Sequence, residues 1–534
     1  MVEHAVLNGT ADPRVRAGAG SDSTAWYASW QVWATGLVLV YLATAVAGWG
    51  RAVIWDEIWL ATNAGGPFET QLRLIRNDIA HPPLFYMIAR GWIAFFGGSD
   101  NSIKVLPLVF NVPALIAFTI LARRVTKYWR EATLLFSGIY WQVGSVPNLV
   151  RAYGLICLLT ILAILAWKNW SDDGRMRWLA GWTAAVSGVA LSHYFGVLLV
   201  CAFVIVNALR GRRPLLFLGA AAVPAILLLP WALYLLPVWS AGAEVRPDSL
   251  TWIDGAGGLG DLAGLAFAFL GYTEPGAAPF RPWNIFDEPR YTMIATVGAV
   301  AAHVVLAAIL AGWWIRNRGR HDANDRLREW LPVLLILFVF PLVGLIGLSR
   351  LAPLFHPRFL IGSLPIYWLL FALAADASPR IGRAFTWGLV GWLALVAFKI
   401  SEPSLRPWPV TAAVMEIDRN AQPGDVVIAD NQVGEYAWWE FDRVLQRERT
   451  LHVFRARDRD LVPPRELRGN NILPYTDIAE IDLTEAETIW LIHSRRLARD
   501  IAFDHLATLG FVPDDTVHVT NVGPTRFTRT DGQR

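Results

Sequence analysis

The stretch IWDEIW, residues 54–59, places two adjacent carboxylates, Asp56 and Glu57, directly after the first long apolar segment of the chain. Trp55 and Trp59 flank the pair, and tryptophan is enriched where a membrane meets water. A carboxylate at such an interface is partly dehydrated, which raises its affinity for a proton and suits it to act as a general base. The alternative interpretation is a solvated acidic pair with no part in chemistry.

His81 opens the next apolar segment in the motif HPPLFY. The two prolines fix the chain as it enters the segment, but they lack the N–H groups with which a helix start binds anions. An imidazole at this point can supply the positive charge that the backbone lacks. The alternative is an interfacial histidine that is hydrogen-bonded to water.

Three later turns also carry a cation or a hydroxyl group, namely Arg151 and Tyr153 in NLVRAYG, His193 in SHYFG and Arg358 in HPRF. Taken singly, each arginine could simply extend to the lipid headgroups. Taken together they favour a phosphate site, because a guanidinium matches phosphate oxygens with paired donors.

The composition is that of a membrane protein, with 54% hydrophobic, 12% aromatic and only 17% charged residues. Long apolar runs recur between residues 31 and 400. Their lengths are close to the roughly 20 residues that a membrane-spanning helix needs. A net charge of +3 does not indicate nucleic-acid binding. Cys157 and Cys201 both lie in apolar segments, which excludes a disulfide framework or a zinc cluster.

Basic residues between the apolar segments predict the topology, because cytoplasmic loops carry an excess of lysine and arginine. The basic loops are 123–130, 168–177, 210–213, 316–328 and 378–383. They share one side only if segment 82–97 does not cross, and its two prolines, central Arg90 and terminal glycines suit an interfacial or re-entrant helix. About 11 spans then remain, and the turns with the candidate residues share the outer face.

Hydropathy falls sharply after the last apolar segment, which predicts a second domain. DVVIAD and TIWLIHS are typical of buried strands, and RDIAFDHLATLG of an amphipathic helix that ends at Gly510. The predicted fold class is therefore an all-α polytopic membrane domain (31–402) with a small extracytoplasmic α/β domain (405–534). Residues 1–30 are predicted to be a polar cytoplasmic segment.

The order of WDE, HPPL, RAY, HYFG and a late arginine before an apolar span resembles the GT-C superfamily of integral membrane glycosyltransferases. The resemblance is greatest to the protein O-mannosyltransferase-like branch, which includes the lipid A aminoarabinose transferases, and it extends over about residues 30 to 400. It implies a GT-C type fold in the inner (plasma) membrane. It also implies transfer of a sugar, with inversion, from a polyprenyl-phosphate donor to a lipid, glycan or protein acceptor on the outer face.

The resemblance places Asp56 near the acceptor, with Glu57 beside it, and His81 on the donor phosphate. For Arg151, Tyr153, His193 and Arg358 the correspondence is looser, and charge suggests donor contacts. Double displacement needs a second carboxylate across the sugar, whereas adjacent helical residues project roughly 100° apart. We therefore expect single displacement, with Glu57 as a supporting residue or a metal ligand; a divalent cation stays open and no other cofactor is expected.

Other functions also fit parts of the pattern. The same outer site suits a protein O-mannosyltransferase proper. A transporter or flippase of a lipid-linked saccharide would also carry membrane charges, but those are expected near the midplane and with an inverted repeat, which the sequence lacks. A non-catalytic scaffold is the remaining alternative. The sequence does not specify the sugar, the acceptor or the oligomeric state.

Overall fold

The fold is given by a computed structural model of the chain. It describes residues 19–47, 49, 57, 60–61, 64–76, 81–138, 140, 148–210, 213–240, 262, 289–318, 325–351, 356–404, 409–430, 450–454, 472–475, 477–493, 496–514 and 523–530. Asp56 lies outside the described residues, as do most of the loop between 241 and 288.

Helices make up the described part of the chain up to residue 404. They are α1 (Ala19–Ala47), α2 (Phe68–Ile75), α3 (Leu84–Phe96), α4 (Asp100–Val125), α5 (Trp129–Gly138), α6 (Tyr153–Asp173), α7 (Met176–Ser192), α8 (Gly196–Arg210), α9 (Pro214–Ser240), α10 (Pro289–Asn317), α11 (Asp325–Ser349), α12 (Leu364–Ala377) and α13 (Pro379–Ser404). A 3₁₀ helix, Pro357–Ser363, leads directly into α12.

Seven helical segments in the described ranges are long and apolar enough to cross a membrane. They are Trp30–Ala47, Asp100–Val125, Tyr153–Asp173, Pro214–Leu236, Val297–Asn317, Arg326–Ser349 and Arg358–Ala377. The chain is therefore a multi-pass membrane protein. The span count of about 11 stays a prediction. Helices α5, α7 and α8 are shorter, with 10, 17 and 15 residues, and α13 is not among the seven candidate spans in the described ranges.

Two helices near the start of the chain differ in their bounds from the sequence pattern. Helix α1 begins at Ala19, well before the apolar run at residue 31, so the polar segment before that run is also helical. Helix α3 has 13 residues, or about 20 Å, which is less than the roughly 30 Å of a hydrocarbon core. Its Arg90 donates to the carbonyl of Gly66 (2.7 Å) and to Gln71 Oε1 (3.2 Å).

All five basic loops meet at one end of the bundle. The contacts are Arg124 Nη1 with Asn169 Oδ1 (2.7 Å), Lys168 Nζ with Glu329 Oε1 (2.9 Å), Arg210 Nη2 with the carbonyl of Glu329 (2.6 Å), Lys127 Nζ with Asp376 Oδ1 (4.0 Å) and Arg383 Nη2 with Glu131 Oε1 (3.6 Å). Helix α6 runs from Tyr153 to this basic end, and Asn169 lies about 24 Å along its axis from Tyr153. The bundle thus has a basic end and, opposite to it, the end at which α6 begins.

The centre of the bundle is occupied by the span Arg358–Ala377, which the 3₁₀ helix and α12 form together; 94% of the residues in its 18-residue apolar stretch are buried inside the protein. Its Tyr367 hydroxyl lies 2.9 Å from Nε2 of His303 on α10. Helices α5, α11 and α13 also pack against α12. This central helix fixes the position of the 3₁₀ helix that precedes it.

The C-terminal part folds around a mixed sheet. After α14 (Pro409–Asn420), strands β1 (Val426–Asp430), β2 (Leu451–Phe454), β3 (Ile472–Tyr475), β4 (Thr488–His493), β5 (Phe511–Pro513) and β6 (Gly523–Arg529) form the order β3-β2-β1-β4-β6-β5. The first four strands are parallel to one another, and β6 is antiparallel to both of its neighbours, β4 and β5.

Helix α15 (Arg496–Thr508) packs on this sheet through Ala502 and Leu506, and Gly510 beyond its end has φ +82°. A left-handed glycine ends a helix at little steric cost. The two predicted strands and the predicted helix are all present. The fold class, a helical membrane domain with a small C-terminal α/β domain, is confirmed.

Candidate functional site

The turn that leads into α6 brings the first candidate residues together. Glu57 is fully buried, and its Oε1 accepts a hydrogen bond from the backbone N–H of Val150 at 3.0 Å. The next residue is Arg151, which is 7% exposed and donates from Nη1 to the hydroxyl of Tyr86 on α3 at 3.0 Å. A carboxylate therefore binds the backbone of the short turn from which the guanidinium of Arg151 extends to α3.

Three rings form the middle of the cluster. The imidazoles of His81 and His193 lie 5.0 Å apart between centroids in an edge-to-face arrangement, and the ring of Tyr153 lies 6.0 Å from that of His81. All three residues are buried. His81 precedes α3, Tyr153 begins α6 and His193 ends α7, so three separate helix ends meet here.

The 3₁₀ helix before α12 closes one side of the cluster. His356 caps it, because its Nδ1 accepts from the backbone N–H of Arg358 at 3.2 Å. The ring of Phe359 lies 5.1 Å from that of His193 and stacks at 4.8 Å on Phe195. Arg358 is half-buried and directly precedes the residue that contacts His193.

A narrow apolar pocket adjoins the cluster at His193. The 3₁₀ helix supplies Phe359, Ile361 and Ser363 to its wall, and α11 supplies Pro341. The lining is mostly apolar, and His193 is the one ionisable group along its described part. The cluster thus combines a polar centre with an apolar flank.

The structure accounts for all but one of the residues that the sequence singled out. It brings the rings of His81, Tyr153 and His193 into contact. Arg151, two residues before Tyr153, bonds to Tyr86, and Glu57 bonds to the backbone of Val150. Arg358 directly precedes Phe359, whose ring contacts His193. Asp56 lies outside the described residues; it precedes Glu57 in the chain. The chemical roles of all the residues that the sequence singled out stay predictions.

Two residues in contact with the site were missed by the sequence reasoning. Tyr86 stands in the motif HPPLFY, yet a tyrosine in an apolar helix is more often part of the core or of the aromatic belt. His356 stands in HPRF, two residues before Arg358, and its position before a proline is a usable signal for a capped helix start.

A metal centre is not evident in the ranges that the structure describes, where three or more His, Cys, Asp or Glu side chains do not gather in one place. The divalent cation that the sequence leaves open stays a prediction, because Asp56 belongs to the residues outside those ranges.

The solved structures that resemble this chain include two crystal structures of ArnT from Cupriavidus metallidurans. The one bound to undecaprenyl phosphate is 12% identical, covers 93% of this chain and 99% of the other, and has a TM-score of 0.49. The apo structure is 14% identical, covers 92% of this chain and 98% of the other, and has a TM-score of 0.36. No family model and no curated protein match the chain.

Proposed function

We propose that this protein is a membrane glycosyltransferase that moves a sugar from a polyprenyl-phosphate donor to an acceptor on the outer face of the inner (plasma) membrane. The observation that carries the proposal is the contact of His81, His193 and Tyr153 beside Arg151. These groups come from separate turns at the end of the bundle opposite the basic loops. An anionic headgroup next to an apolar flank fits a lipid phosphate.

The donor phosphate would be held by the cationic groups of the cluster. Arg151 offers paired donors to its oxygens, and His81 and His193 offer ring N–H groups. Arg358 adds charge at the edge of the site. Since the leaving phosphate gains negative charge as the glycosidic bond breaks, cations placed around it lower the barrier.

The carrier's first isoprene units would lie along the apolar pocket next to His193. Its lining by Phe359, Ile361 and Pro341 suits a branched hydrocarbon chain. The reacting sugar carbon would then project away from this pocket.

Transfer would proceed by a single displacement. The acceptor hydroxyl oxygen forms a bond to the anomeric carbon while its proton passes to the carboxylate of Asp56. The bond from that carbon to the phosphate oxygen breaks, and polyprenyl phosphate leaves with the electron pair. A positioned base contributes typically 10²–10⁴-fold to such a step.

Glu57 has a supporting part in this scheme, because its Oε1 is already bonded to the backbone N–H of Val150. A fully buried carboxylate that holds the turn before Arg151 keeps a donor-phosphate contact in place. Of the two acidic residues, Asp56 is therefore the one that we assign to the acceptor.

Mass spectrometry of membrane lipids, glycans and glycoproteins from cells with and without the protein tests the proposal. We expect one sugar modification to disappear without the protein and also with Asp56→Asn, while the variant still accumulates in the membrane. The matched control is Asp504→Asn, an exposed carboxylate on α15.

The alternatives predict other results. If the lost modification is found only on proteins, the acceptor is a protein and the role is that of a protein O-mannosyltransferase type enzyme. If Asp56→Asn retains the full phenotype, the base assignment is wrong. If no modification changes, but a lipid-linked saccharide accumulates on one side of the membrane in cells without the protein, the protein is a flippase.

A further inference from the structure

We propose that Asn111, in the middle of helix α4, is a positioning residue for Arg151. It acts through Asn148, which begins the turn that carries the arginine. The inference rests on the proposed function for its catalytic consequence, but the hydrogen bonds that carry it can be tested without any transfer reaction.

Asn111 is fully buried within an apolar helix. Its Nδ2 donates to the hydroxyl of Tyr41 on α1 at 2.9 Å and to Oδ1 of Asn148 at 3.3 Å. An amide nitrogen has two hydrogens, so one side chain ties α1 and the turn to α4. A polar residue inside a membrane bundle is unfavourable unless such partners are supplied, which makes a specific purpose expected.

Asn148, which Asn111 holds by a hydrogen bond, also bonds to the chain before the turn. Its Nδ2 donates to the carbonyl of Tyr140 at 3.2 Å, so the residues that flank segment 141–147 are held together. The ring of Tyr140 in turn packs edge-on against Tyr41 at 5.4 Å. The start of the turn is therefore fixed by two helices and by the end of the preceding segment.

The rest of the turn is held from the other side. Val150 donates its backbone N–H to Glu57, and Arg151 donates its own N–H to the carbonyl of Leu149 at 2.7 Å. With Asn148 anchored on one side and Val150 on the other, the backbone before Arg151 has little freedom. The guanidinium is thereby held in its contact with the hydroxyl of Tyr86.

The position of Asn111 in α4 also fits this purpose. Pro107 and Pro113 lie within the same helix, and each removes one backbone hydrogen bond and bends the helix locally. Asn111 lies between them, where its side chain bridges to neighbouring elements.

The test compares Asn111→Leu with Thr119→Val. Leucine has nearly the shape of asparagine without its donors, and Thr119 is a fully buried residue of the same helix whose hydroxyl bonds only to the carbonyl of Leu115 among its described contacts (2.8 Å). Hydrogen exchange of the peptide 148–152, in the purified full-length protein, is expected to speed up in Asn111→Leu and to stay unchanged in Thr119→Val.

Function is measured by binding of undecaprenyl phosphate and by turnover. We expect Asn111→Leu to lower turnover about tenfold or more, since small displacements of a catalytic contact have effects of that size. In an Arg151→Ala background the same substitution is expected to have less than about a twofold effect, because a residue that acts through Arg151 is not additive with its loss. Equal losses in both backgrounds would overturn the proposal.

Tyr41→Phe provides a second variant, because it removes only the hydroxyl that Asn111 contacts and folds even if Asn111→Leu does not. Faster exchange at 148–152 with weaker lipid-phosphate binding supports the positioning role, even if no transfer reaction is ever found. Normal exchange and normal turnover in both variants contradict it, whether or not the transferase function stands.

Discussion

The carboxylate of Glu57 accepts a 3.0 Å hydrogen bond from the backbone N–H of Val150, the residue before Arg151. This contact distinguishes the roles of the two adjacent carboxylates, which the sequence alone does not distinguish. One carboxylate holds the backbone of a cationic turn, and the neighbouring Asp56 is left for proton transfer in the proposed reaction.

A comparison of two substitutions at Glu57 tests this division. Glu57→Gln keeps a side-chain oxygen that can accept from Val150, so we expect transfer activity within a few-fold of the unaltered protein. Glu57→Ala leaves a buried N–H without its acceptor, which costs roughly 1–3 kcal/mol. Its thermal stability in detergent and its turnover should both fall. If Glu57→Gln is as inactive as Asp56→Asn, Glu57 itself takes part in proton transfer.

The two histidines at the centre of the site are expected to act on the same anion. His81→Ala and His193→Phe should each weaken the binding of undecaprenyl phosphate and lower turnover, by about 10- to 100-fold in turnover. The binding of undecaprenyl phosphate to the protein in nanodiscs is measured by scintillation counting of labelled lipid or by calorimetry. The control is His505→Gln on α15, which should leave both quantities unchanged. Unaltered binding in both site variants would exclude a shared phosphate contact.

Tyr86 is predicted to orient Arg151. Tyr86→Phe removes the hydroxyl that accepts from Arg151 Nη1 but keeps the buried ring. A hydrogen bond to a charged group is worth about 1.5–3 kcal/mol, so we expect turnover to fall about tenfold or more with little change in protein yield. Tyr128→Phe, a half-buried tyrosine at the basic end, is the control. Equal turnover in the two variants would show that Arg151 does not depend on Tyr86.

The C-terminal sheet should lose stability in mild acid. Burial lowers the pKa of His452, whose Nδ1 lies 3.0 Å from the hydroxyl of Tyr475. Because the unfolded chain takes up this proton more readily than the folded one, stability is full above the ordinary histidine pKa of about 6.5 and declines as the pH falls through the lowered value.

Hydrogen exchange of peptide 451–454 in the full-length protein measures this effect. After correction for intrinsic rates, opening should be more frequent at acidic than at neutral pH. Substitution of His452 by Gln should flatten the dependence. A variant with an undiminished pH dependence would assign the effect to another group.

The residues of the site could be predicted because their types stand out at the ends of apolar segments. His81, Arg151 and His193 are ionisable groups at turns, and the alternation of basic loops places those turns at one end of the bundle. Tyr86 could not be found in this way, because an aromatic residue within an apolar helix has the same pattern whether it packs or binds.

Asn111 had a usable signal, since a single amide in the middle of an apolar helix is costly. Its partners could not be derived, because the contact with Asn148 depends on how α4 and the turn before α6 pack. The start of α1 was also missed: hydropathy detects the segment in lipid, while the helix extends into a polar segment that has no hydropathy signal.

Helix α12 has a consequence for how the protein is made. In its span, 94% of the residues of the apolar stretch are buried in the bundle, so neighbouring helices rather than lipid surround it. It is also synthesised after most of the helices that enclose it, α4, α5, α6, α10 and α11. During biogenesis the space between those earlier helices must therefore stay open until this late segment arrives, and its arrival also brings the 3₁₀ helix to His193.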